Sequence, residues 1–420
     1  MKVCVIGLGY IGFPLAVVLA RSGHRVRGVD TDTKRVEAIR SVNLEGIEPS
    51  LEALGQEVVA SGFLDPVETV SPAEVFVVAV PTPLDENRRA DLSHVDRAID
   101  SIAPHLEAGN LVVIESTVPV GTTERMACRL LEKRPDLARE DGTPSFFVAH
   151  CPERVLPGRI FEELTGVDRI VGGTDPESTS RAAGFYASFV QGTIHSTDVR
   201  TAEMCKLVEN ASRDVSIAFA NEVSMLCNRM GVDSSTLIRL ANRHPRVRIM
   251  EPGPGVGGHC IPVDPWFLVE SAPLETRLIQ SARKVNEAKT EWVLQRIEES
   301  VSLFENPVVA CLGLAYKPNV NDLRESPAVF IVKALCANGN CTVRIVEPHI
   351  RDLPLPLAGF ARCRLVGLEE ALAEARVVVL LTRHRAFDGI EERLKEGTVF
   401  VDPNGTVHEG MKKSGTGERP

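Results

Sequence analysis

Cys260 stands at the end of a loop that neither a helix nor a strand can contain. The nine residues from Pro252 to Cys260 include four glycines and two prolines. Glycine allows unusual backbone dihedral angles and lets backbone N–H groups approach an anion closely. An acid, Asp264, follows four residues after the thiol. A thiol beside an acid in such a loop favours covalent catalysis, and the alternative is a structural cysteine in a rigid turn.

A second candidate group lies in a segment with helical periodicity, from Thr201 to Asn210. Lys206 and Asn210 are four residues apart, which places them on one face of a helix. An ammonium and an amide on one face can stabilise a developing oxyanion. The alternative is a solvated helix face, which the apolar neighbours in this segment disfavour.

Basic and aromatic residues elsewhere in the chain suit a diphosphate-bearing substrate. Arg154 follows Glu153 after an apolar strand, and a run from Arg243 to Arg246 precedes the glycine loop. Tyr316, Lys317 and, further on, Arg324 follow the first strand of a later segment. These groups concentrate positive charge in an otherwise acidic chain.

The sequence Gly7-Leu8-Gly9-Tyr10-Ile11-Gly12 joins an apolar strand to a helix. Gly7 allows a tight turn, Gly9 lets the backbone approach a pyrophosphate, and Gly12 lets helix and strand pack closely. The helix N-terminus supplies N–H groups and a positive dipole to the phosphates. The alternative is a structural turn without a ligand.

Asp30 ends the next strand and indicates which dinucleotide binds. Its carboxylate would bond the ribose hydroxyls and repel the 2′-phosphate of NADP, whereas Lys34 and Arg35 weaken that preference. The prediction is therefore NAD. Thr82, Thr117 and Thr123 follow later strands, so they are candidates to contact the nicotinamide half, although each could equally be a loop or cap residue.

Composition excludes several classes of protein. The chain has 420 residues, is 44% hydrophobic and carries a formal net charge of -10, which disfavours nucleic-acid binding. It has no apolar run of membrane-spanning length and no signal peptide, so we expect a cytoplasmic protein without membrane association. The ten cysteines show no C-x-x-C pair or zinc spacing, so no metal site is predicted.

Alternating apolar runs and helical segments predict an α/β fold. Strands are predicted at 3–6, 25–29, 75–80, 111–115, 146–150, 308–312, 342–346, 376–381 and 398–401, with helices at 13–21, 202–230 and 275–301. The predicted domains are 1–195, a dinucleotide-binding domain; 196–300, a helical domain; and 301–420, a second doubly wound domain. The polar tail beyond Glu409 is predicted to be disordered.

Together these residues resemble the UDP-sugar 6-dehydrogenases of the UDP-glucose/GDP-mannose dehydrogenase family over nearly the whole chain. The thiol loop Gly-Gly-His-Cys-Ile-Pro-Val-Asp-Pro is similar to the N-acetylhexosamine branch, and residues 242–247 and 264–267 look most like members that act on UDP-N-acetyl-D-mannosamine. Asn404 departs from the lysine that close relatives often have. The shared motifs are the glycine turn, Glu115-Ser116-Thr117, Cys151-Pro152-Glu153-Arg154, Lys206 with Asn210, Gly257-Gly258-His259-Cys260 with Asp264, and Lys317 with Arg324-Glu325-Ser326-Pro327.

The resemblance implies a homodimer of two Rossmann-like doubly wound parallel-sheet domains joined by a central helical dimerisation domain. It implies a four-electron oxidation of a UDP-N-acetylhexosamine at C6, with two NAD per turnover, for surface polysaccharide synthesis. Cys260 would form a thiohemiacetal and then a thioester. Lys206 and Asn210 would stabilise oxyanions. Lys206 would also favour the thiolate, and a role as proton acceptor and donor is open to it. Asp264, with Thr117 and a water, would be the first base, and Glu153 would assist hydrolysis.

The motifs and the resemblance together predict the binding residues. Those for the cofactor are Gly7, Gly9, Tyr10, Ile11, Gly12, Asp30, Lys34, Thr82, Thr123 and Arg324. Those for the substrate are Arg154, Val155, Lys206, Asn210, Arg213, His244, Arg246, Gly257, Tyr316 and Lys317. His244 and Arg246 are expected to reach the site of the partner subunit.

Other functions stay open at this point. A two-electron dehydrogenase of the 3-hydroxyacid or 6-phosphogluconate type shares the glycine turn and helical second domain but needs neither the cysteine nor a third domain. A nucleotide-sugar sensor without activity is a second alternative, which the intact Cys260, Lys206 and Asp264 disfavour. UDP-N-acetylglucosamine and UDP-glucose are alternative substrates, because no residue identifies the C2 epimer.

Overall fold

The computed structural model describes residues 1–41, 49–155, 160–403 and 407–409. Asn404 and the predicted disordered tail beyond Glu409 lie outside the described residues. The chain forms two compact units, one of Met1–Glu209 with Trp266–Pro273 and the other of Asn210–Pro265 with Leu274–Pro420. Within the described ranges, no helix is both long and apolar enough to cross a bilayer.

The first unit contains an eight-stranded sheet with the order β3-β2-β1-β4-β5-β6-β7-β8, parallel except where β7 runs antiparallel to β6. Its first six strands have the order of a dinucleotide-binding fold. The strands are β1 (Lys2–Ile6), β2 (Arg25–Val29), β3 (Leu64–Val67), β4 (Val75–Val78), β5 (Leu111–Ile114), β6 (Phe147–His150), β7 (Arg169–Gly173) and β8 (Ile194–Asp198). The helices are α1 (Gly12–Arg21), α2 (Thr33–Arg40), α3 (Pro49–Ala60), α4 (Ser93–Ile102), α5 (Thr122–Lys133), α6 (Ile160–Gly166) and α7 (Pro176–Tyr186).

Helices dominate the middle of the chain. They are α8 (Val199–Met230), α9 (Ser234–Ala241), α10 (Asp264–Ser271) and α11 (Arg277–Val301). The 32-residue helix α8 is shared by the two units, because the boundary between them falls after Glu209.

The second unit contains a six-stranded sheet with the order β11-β10-β9-β12-β13-β14, parallel except for the last pair. The strands are β9 (Val308–Leu312), β10 (Thr342–Val346), β11 (Cys363–Leu365), β12 (Val377–Leu380), β13 (Val399–Val401) and β14 (Val407–Glu409). The helices are α12 (Pro327–Asn338), α13 (Leu355–Ala358) and α14 (Leu368–Glu374).

The burial of the central strands explains why apolar runs in the sequence predicted the two sheets. All four residues of β4 and all four of β5 are buried, as expected for strands covered by helices on both faces. In α1, nine of ten residues are buried. The prediction of an α/β fold with two doubly wound, mainly parallel sheets and an intervening helical segment is confirmed.

Every predicted strand and helix is present, with ends shifted by a few residues. The predicted strand 75–80 ends at Val78, and the predicted helix 202–230 begins at Val199. Five strands were not predicted from the sequence: β3, β7, β8, β11 and β14. Strand β8 extends to Asp198, past the boundary predicted at residue 195. The three predicted domain ranges stay a prediction, since compact units and evolutionary domains need not coincide.

Candidate functional site

The glycine turn between β1 and α1 has the close packing that a dinucleotide site needs. Gly7 has a φ of +94°, and a Cβ added there would lie 2.6 Å from the carbonyl oxygen of Ala79. A Cβ at Gly12 would lie 1.8 Å from the carbonyl oxygen of Gly7. No other amino acid fits at these two positions without moving the backbone. The turn therefore opens directly onto the N-terminus of α1, where backbone N–H groups can meet a pyrophosphate.

Asp30 lies beside this turn and is hydrogen-bonded to it. Its Oδ2 accepts a hydrogen bond of 2.8 Å from the Leu8 N–H, and its Oδ1 accepts one of 2.9 Å from the Asp32 N–H. Arg35 Nη1 lies 3.6 Å from Asp30 Oδ2. Of the two basic residues named from the sequence, Arg35 is therefore the ion-pair partner of the acid. The backbone N–H of Lys34 donates to Asp32 Oδ1, so that Asp32 caps α2.

The loops after β4 and β5 are bonded to one another. Thr82 Oγ1 donates to the carbonyl oxygen of Thr117 at 2.7 Å, and Ser116 Oγ donates to the carbonyl oxygen of Val80 at 2.7 Å. Both loops lie at the carboxyl ends of neighbouring parallel strands, where ligands bind in such sheets. The structure thus brings two of the three predicted threonines together, and their roles stay predictions.

The third threonine, Thr123, is fully buried at the N-terminus of α5. Its N–H donates to Glu203 Oε1 at 2.7 Å, and the Gly121 N–H donates to Glu203 Oε2 at 2.6 Å. A protein carboxylate thus occupies this helix terminus. Burial raises the pKa of Glu203, although the bonds from Thr123 and Gly121 oppose that rise. Glu203 was not predicted, because an acid between Arg200 and Lys206 reads as part of a charged helix face.

Arg154 forms an ion pair with an acidic residue of the first unit. Its guanidinium lies 2.6 Å from Glu209 Oε1 and donates to the Asp168 carbonyl oxygen at 3.3 Å. An open groove of about 570 Å³ borders it. Glu153 accepts a hydrogen bond from the Val155 N–H. The groove is lined by Arg154, Val167, Asp168, Ile170, His195, Thr197, Thr201 and Cys205.

The two cysteines in the shared motifs have different surroundings. Cys151 is fully buried, and burial raises the pKa of its thiol to about 12. Beside it, the Tyr186 hydroxyl donates to Glu115 Oε1 at 2.5 Å. Cys260 is partly exposed. A nucleophile must be reachable and able to ionise, so Cys260 is the better candidate of the two.

In the second unit, Cys260 begins the turn that leads into α10. Its carbonyl oxygen accepts from the Val263 N–H at 3.0 Å and from the Asp264 N–H at 2.9 Å. Asn210 Nδ2 donates to Asp264 Oδ2 at 2.5 Å. Asp264 is buried. The structure therefore brings Asn210, predicted from its helix, together with Asp264, which was predicted from the segment that begins at Cys260.

Lys206 lies one helical turn before Asn210 on α8. Its side chain is buried, which is unusual for an ammonium and requires compensating polar contacts or a bound anion. The prediction of partial burial for this face is thus met at both positions, because Asn210 is also half-buried.

The glycines of the thiol loop are explained by how closely it packs on the segment after β9. The Gly258 N–H donates to the Arg324 carbonyl oxygen at 3.1 Å. A Cβ at Gly257 would lie 2.8 Å from Tyr316 Cβ, and a Cβ at Gly258 would lie 3.1 Å from Tyr316 Cε2. The Tyr316 ring therefore lies against the thiol loop. Burial, with Asp322 and Cys260 nearby, raises the pKa of the Tyr316 hydroxyl.

The other predicted binding residues lie on exposed segments of the second unit. Arg324 pairs with Asp322, with a shortest distance of 2.5 Å. The His244 ring accepts from the Arg246 N–H at 3.4 Å, in a loop that Asn242 closes by bonding both backbone groups of Ile249. Arg213 is exposed on α8, and Lys317 Nζ lies 5.8 Å from the Tyr316 ring centroid.

A buried polar network behind the thiol loop was missed. Asn221 Oδ1 accepts from the Gly253 N–H at 2.9 Å, and Asn221 Nδ2 donates to Asn286 Oδ1 at 2.9 Å. Asn286 in turn donates to Asp214 Oδ1 at 2.8 Å, and Arg283 donates to the same oxygen at 2.7 Å. This network ties the loop to α8 and α11. No pattern in the sequence indicates this network, because its residues lie on two helices and Asn221 and Asn286 are 65 positions apart.

Comparisons with known proteins agree across the chain. Three models of the UDP-glucose/GDP-mannose dehydrogenase family match it: the NAD binding domain at residues 1–190, the central domain at 200–288 and the UDP binding domain at 310–409. The first unit's glycine turn thus lies in an NAD binding domain, and the second unit's sheet lies in a UDP binding domain.

Individual relatives span nearly the whole chain. An NDP-N-acetyl-D-galactosaminuronic acid dehydrogenase of Ralstonia nicotianae is 48% identical, over 96% of this chain and 95% of its own. A UDP-N-acetyl-D-mannosamine dehydrogenase of Campylobacter jejuni is 47% identical, over 92% and 96%. The solved UDP-D-ManNAc dehydrogenase of Pyrococcus horikoshii superposes with a TM-score of 0.86 at 37% identity, over 99% of this chain and 97% of that one.

Proposed function

Because the chain belongs to the UDP-glucose/GDP-mannose dehydrogenase family, we propose that it oxidises the C6 alcohol of UDP-N-acetyl-D-mannosamine to the carboxylate of UDP-N-acetyl-D-mannosaminuronic acid. The observation that carries the proposal is the thiol loop, where Cys260 shares a turn with Asp264 and Asp264 accepts a hydrogen bond from Asn210. A dehydrogenase that removes one hydride has no use for such a thiol, whereas a four-electron oxidation must retain an aldehyde.

The proposed reaction uses these side chains in sequence. NAD, when bound, accepts the hydride that leaves C6 in each of two oxidations. Asp264 takes the proton of the C6 hydroxyl in the first oxidation. The Cys260 thiolate then adds to the aldehyde carbon and forms a thiohemiacetal. Loss of the second hydride leaves a thioester, and attack by water breaks the C–S bond, releases the carboxylate and restores the thiolate.

Asn210 and Lys206 support the charged species of this reaction. Both oxyanions, on the thiohemiacetal and on the hydrolysis intermediate, need hydrogen-bond donors that are already oriented. The buried Lys206 ammonium provides one donor on the same helix face as Asn210. Asn210 also orients Asp264, at 2.5 Å. Thr117 and Glu153 lie in the other compact unit, and their proposed roles in the first step and in hydrolysis rest on the family resemblance.

The choice of sugar rests on the relatives and on the loop sequence. The Campylobacter jejuni relative is named for UDP-N-acetyl-D-mannosamine and the Ralstonia nicotianae relative for an N-acetylgalactosaminuronic acid, at nearly equal identity. Both sugars carry a 2-acetamido group, which favours an N-acetylhexosamine over UDP-glucose. The manno epimer is our first choice because of residues 242–247 and 264–267. The galacto epimer is the second candidate, and UDP-N-acetylglucosamine is a further alternative.

Counting NADH per sugar tests the reaction. With limiting UDP-N-acetyl-D-mannosamine we expect two NADH per sugar, because each oxidation releases one hydride. UDP-N-acetylglucosamine, UDP-N-acetylgalactosamine and UDP-glucose, assayed side by side, should give kcat/KM values at least about tenfold lower. One NADH per sugar would instead support a two-electron dehydrogenase. No turnover with any of the four sugars would support a sensor without activity.

We also propose that the protein is a homodimer that pairs through α8. Five large apolar side chains on this helix are each between 44 and 74% exposed. At 100° per residue they fall within about 80° of one another, so they form a single stripe. A stripe of this kind along a helix indicates a protein interface, and a second copy of the same helix presents a matching surface. The stripe consists of Met204, Val208, Phe219, Leu226 and Met230.

Charge placed on the stripe should separate the subunits. We expect Phe219→Glu to convert a dimer into a monomer at micromolar concentration, because two buried carboxylates would face each other across the axis. Light scattering during gel filtration measures the mass. Phe330→Glu is the matched control, since Phe330 is similarly exposed, at 55%, on another helix. A wild-type monomer, or a Phe219→Glu dimer, would contradict the proposal.

A cytoplasmic location and a role in surface polysaccharide synthesis complete the proposal. The structure contains ten free cysteines and the reaction depends on a reduced thiol, which suits a reducing compartment. The product is an activated uronic acid, the kind of donor that a glycosyltransferase consumes.

A further inference from the structure

The turn that follows β9 resembles the N-terminal glycine turn, but the acid beside it is fully buried. Glu347 follows β10 as Asp30 follows β2. Its Oε2 accepts from the Leu314 N–H at 2.7 Å and from the Ala315 N–H at 3.1 Å. His384 Nε2 lies 3.0 Å from the same oxygen. Glu347 therefore bonds two consecutive N–H groups of its turn and a histidine ring, whereas Asp30 bonds one N–H group of the first turn.

Asp30 and Glu347 differ in how far their side chains are buried. The side chain of Asp30 is 11% exposed and that of Glu347 is 0% exposed. Glu347 Oε1 also accepts from the His349 N–H at 3.1 Å. With this many donors, Glu347 has little capacity left for a ligand. Burial alone would raise the pKa of Glu347, but the bonds from His384 and the Leu314 N–H produce a net lowering. The group acts as a buried, ionised anchor.

The other ring nitrogen of His384 is also hydrogen-bonded. Its Nδ1 accepts from the Asn319 N–H at 2.9 Å, which assigns the ring proton to Nε2 and makes His384 the donor to Glu347. Asn319 Oδ1 then accepts from the Arg385 N–H at 3.0 Å. Asn319 has a φ of +60°, so the chain turns sharply at this point. His384 is fully buried and so is held rigidly.

The segment Leu314–Asn319 is consequently fixed at both ends by one buried pair. Glu347 bonds its first two N–H groups and His384 bonds its last. Thr382 Oγ1 also donates to the Ala315 carbonyl oxygen at 2.6 Å. Between the fixed ends stand Tyr316 and Lys317, and neither the Glu347 nor the His384 side chain lies among the predicted ligands of the substrate.

A metal ion is a less satisfactory explanation of the same cluster. Glu347, His349 and His384 have potential ligand atoms within 4.8 Å of one another. However, Glu347 already accepts bonds on both oxygens, and both ring nitrogens of His384 have protein partners. A metal would have to displace bonds that hold the backbone.

We propose that Glu347 and His384 are positioning residues for the nucleotide-sugar: they hold Leu314–Asn319 so that Tyr316 and Lys317 meet the UDP part of the substrate. This inference rests on the proposed function. The second glycine turn, in the UDP binding domain, would thus serve to hold the loop Leu314–Asn319. The first glycine turn lies in the NAD binding domain.

Two variants and a control test this role. Glu347→Gln removes the charge that the backbone N–H groups bond, and His384→Gln keeps a donor near Nε2 but removes the acceptor for Asn319. Glu374→Gln is the control, because it is the same change at an exposed carboxylate, which pairs with Arg344 in the same unit. The measurements are the Kd for UDP by calorimetry, KM for the UDP-sugar, KM for NAD, and Tm.

For both variants we expect Kd for UDP and KM for the UDP-sugar to rise roughly tenfold, with KM for NAD within about twofold of wild type. The control should match wild type. If Glu347→Gln does not fold, His384→Gln decides. A folded variant with unchanged Kd for UDP, or an equal rise in both KM values, would overturn the positioning role and leave the proposed function intact. Wild-type protein that fails to bind UDP would contradict both.

Discussion

Cys260→Ser is expected to stop the reaction after its first half. The first oxidation needs no thiol, so the variant should still produce one NADH per sugar and the C6 aldehyde. The second oxidation needs the thiohemiacetal, and a serine hydroxyl at neutral pH is a far weaker nucleophile than a thiolate. We expect uronate formation to fall by at least about a thousandfold. Mass spectrometry of the sugar product and NADH absorbance follow the two halves separately.

A second cysteine provides the control for this experiment. Cys205 is also partly exposed, but it lies on α8 beside the open groove, and burial with the nearby Glu209 raises the pKa of its thiol. Cys205→Ser should therefore keep two NADH per sugar. Full four-electron turnover by Cys260→Ser would rule out the covalent mechanism. Loss of the first NADH as well would mean that Cys260 does more than trap the aldehyde.

Buried parallel strands were predictable because their residues are apolar on both faces. The run at β9, for example, is buried at four of its five residues and reads as continuous Val, Ala, Cys and Leu. Strand β8 was missed because it lies at the sheet edge, where its sequence Ile-His-Ser-Thr-Asp is polar and mostly exposed. Strand β3 contains Asp65 and Pro66, both of which weigh against a strand.

The family was predictable from motifs, and that prediction is confirmed by matches over nearly the whole chain. Individual contacts were not. Asn210 and Asp264 are 54 residues apart, and no spacing rule links them. Glu347 and His384 are 37 residues apart and come together because β10 and β12 are both neighbours of β9. Sequence motifs thus indicate the reacting groups, whereas the order of the strands in the sheet brings together the residues that position them.

Asp264→Asn is expected to cause the second large loss. As the proposed general base, Asp264 takes the hydroxyl proton, and removing such a group lowers kcat by about 10² to 10⁴-fold. An amide also cannot accept the Asn210 bond as a charged oxygen does. The loss should appear in the first NADH, because this step precedes the thiol chemistry. A rapid-mixing measurement of the first turnover isolates it.

Combining this change with Asn210→Ala tests whether the two residues act as one unit. Asn210→Ala alone should lower the rate by roughly 10² to 10³-fold, since it removes an oxyanion donor and the partner of a buried carboxylate. The double variant should lose little more than the worse single variant, because the hydrogen bond of 2.5 Å makes each depend on the other.

Asp233→Asn is the matched control for Asp264→Asn. Asp233 caps α9 by accepting from the Thr236 N–H at 2.8 Å, and asparagine caps a helix equally well. It should leave both stability and turnover unchanged. Additive losses in the double variant would show that Asn210 acts on the substrate independently of Asp264. A first-turnover rate in Asp264→Asn within about threefold of wild type would show that Asp264 does not take the proton. Lys206, which lies one helical turn before Asn210 on α8, would then be the base.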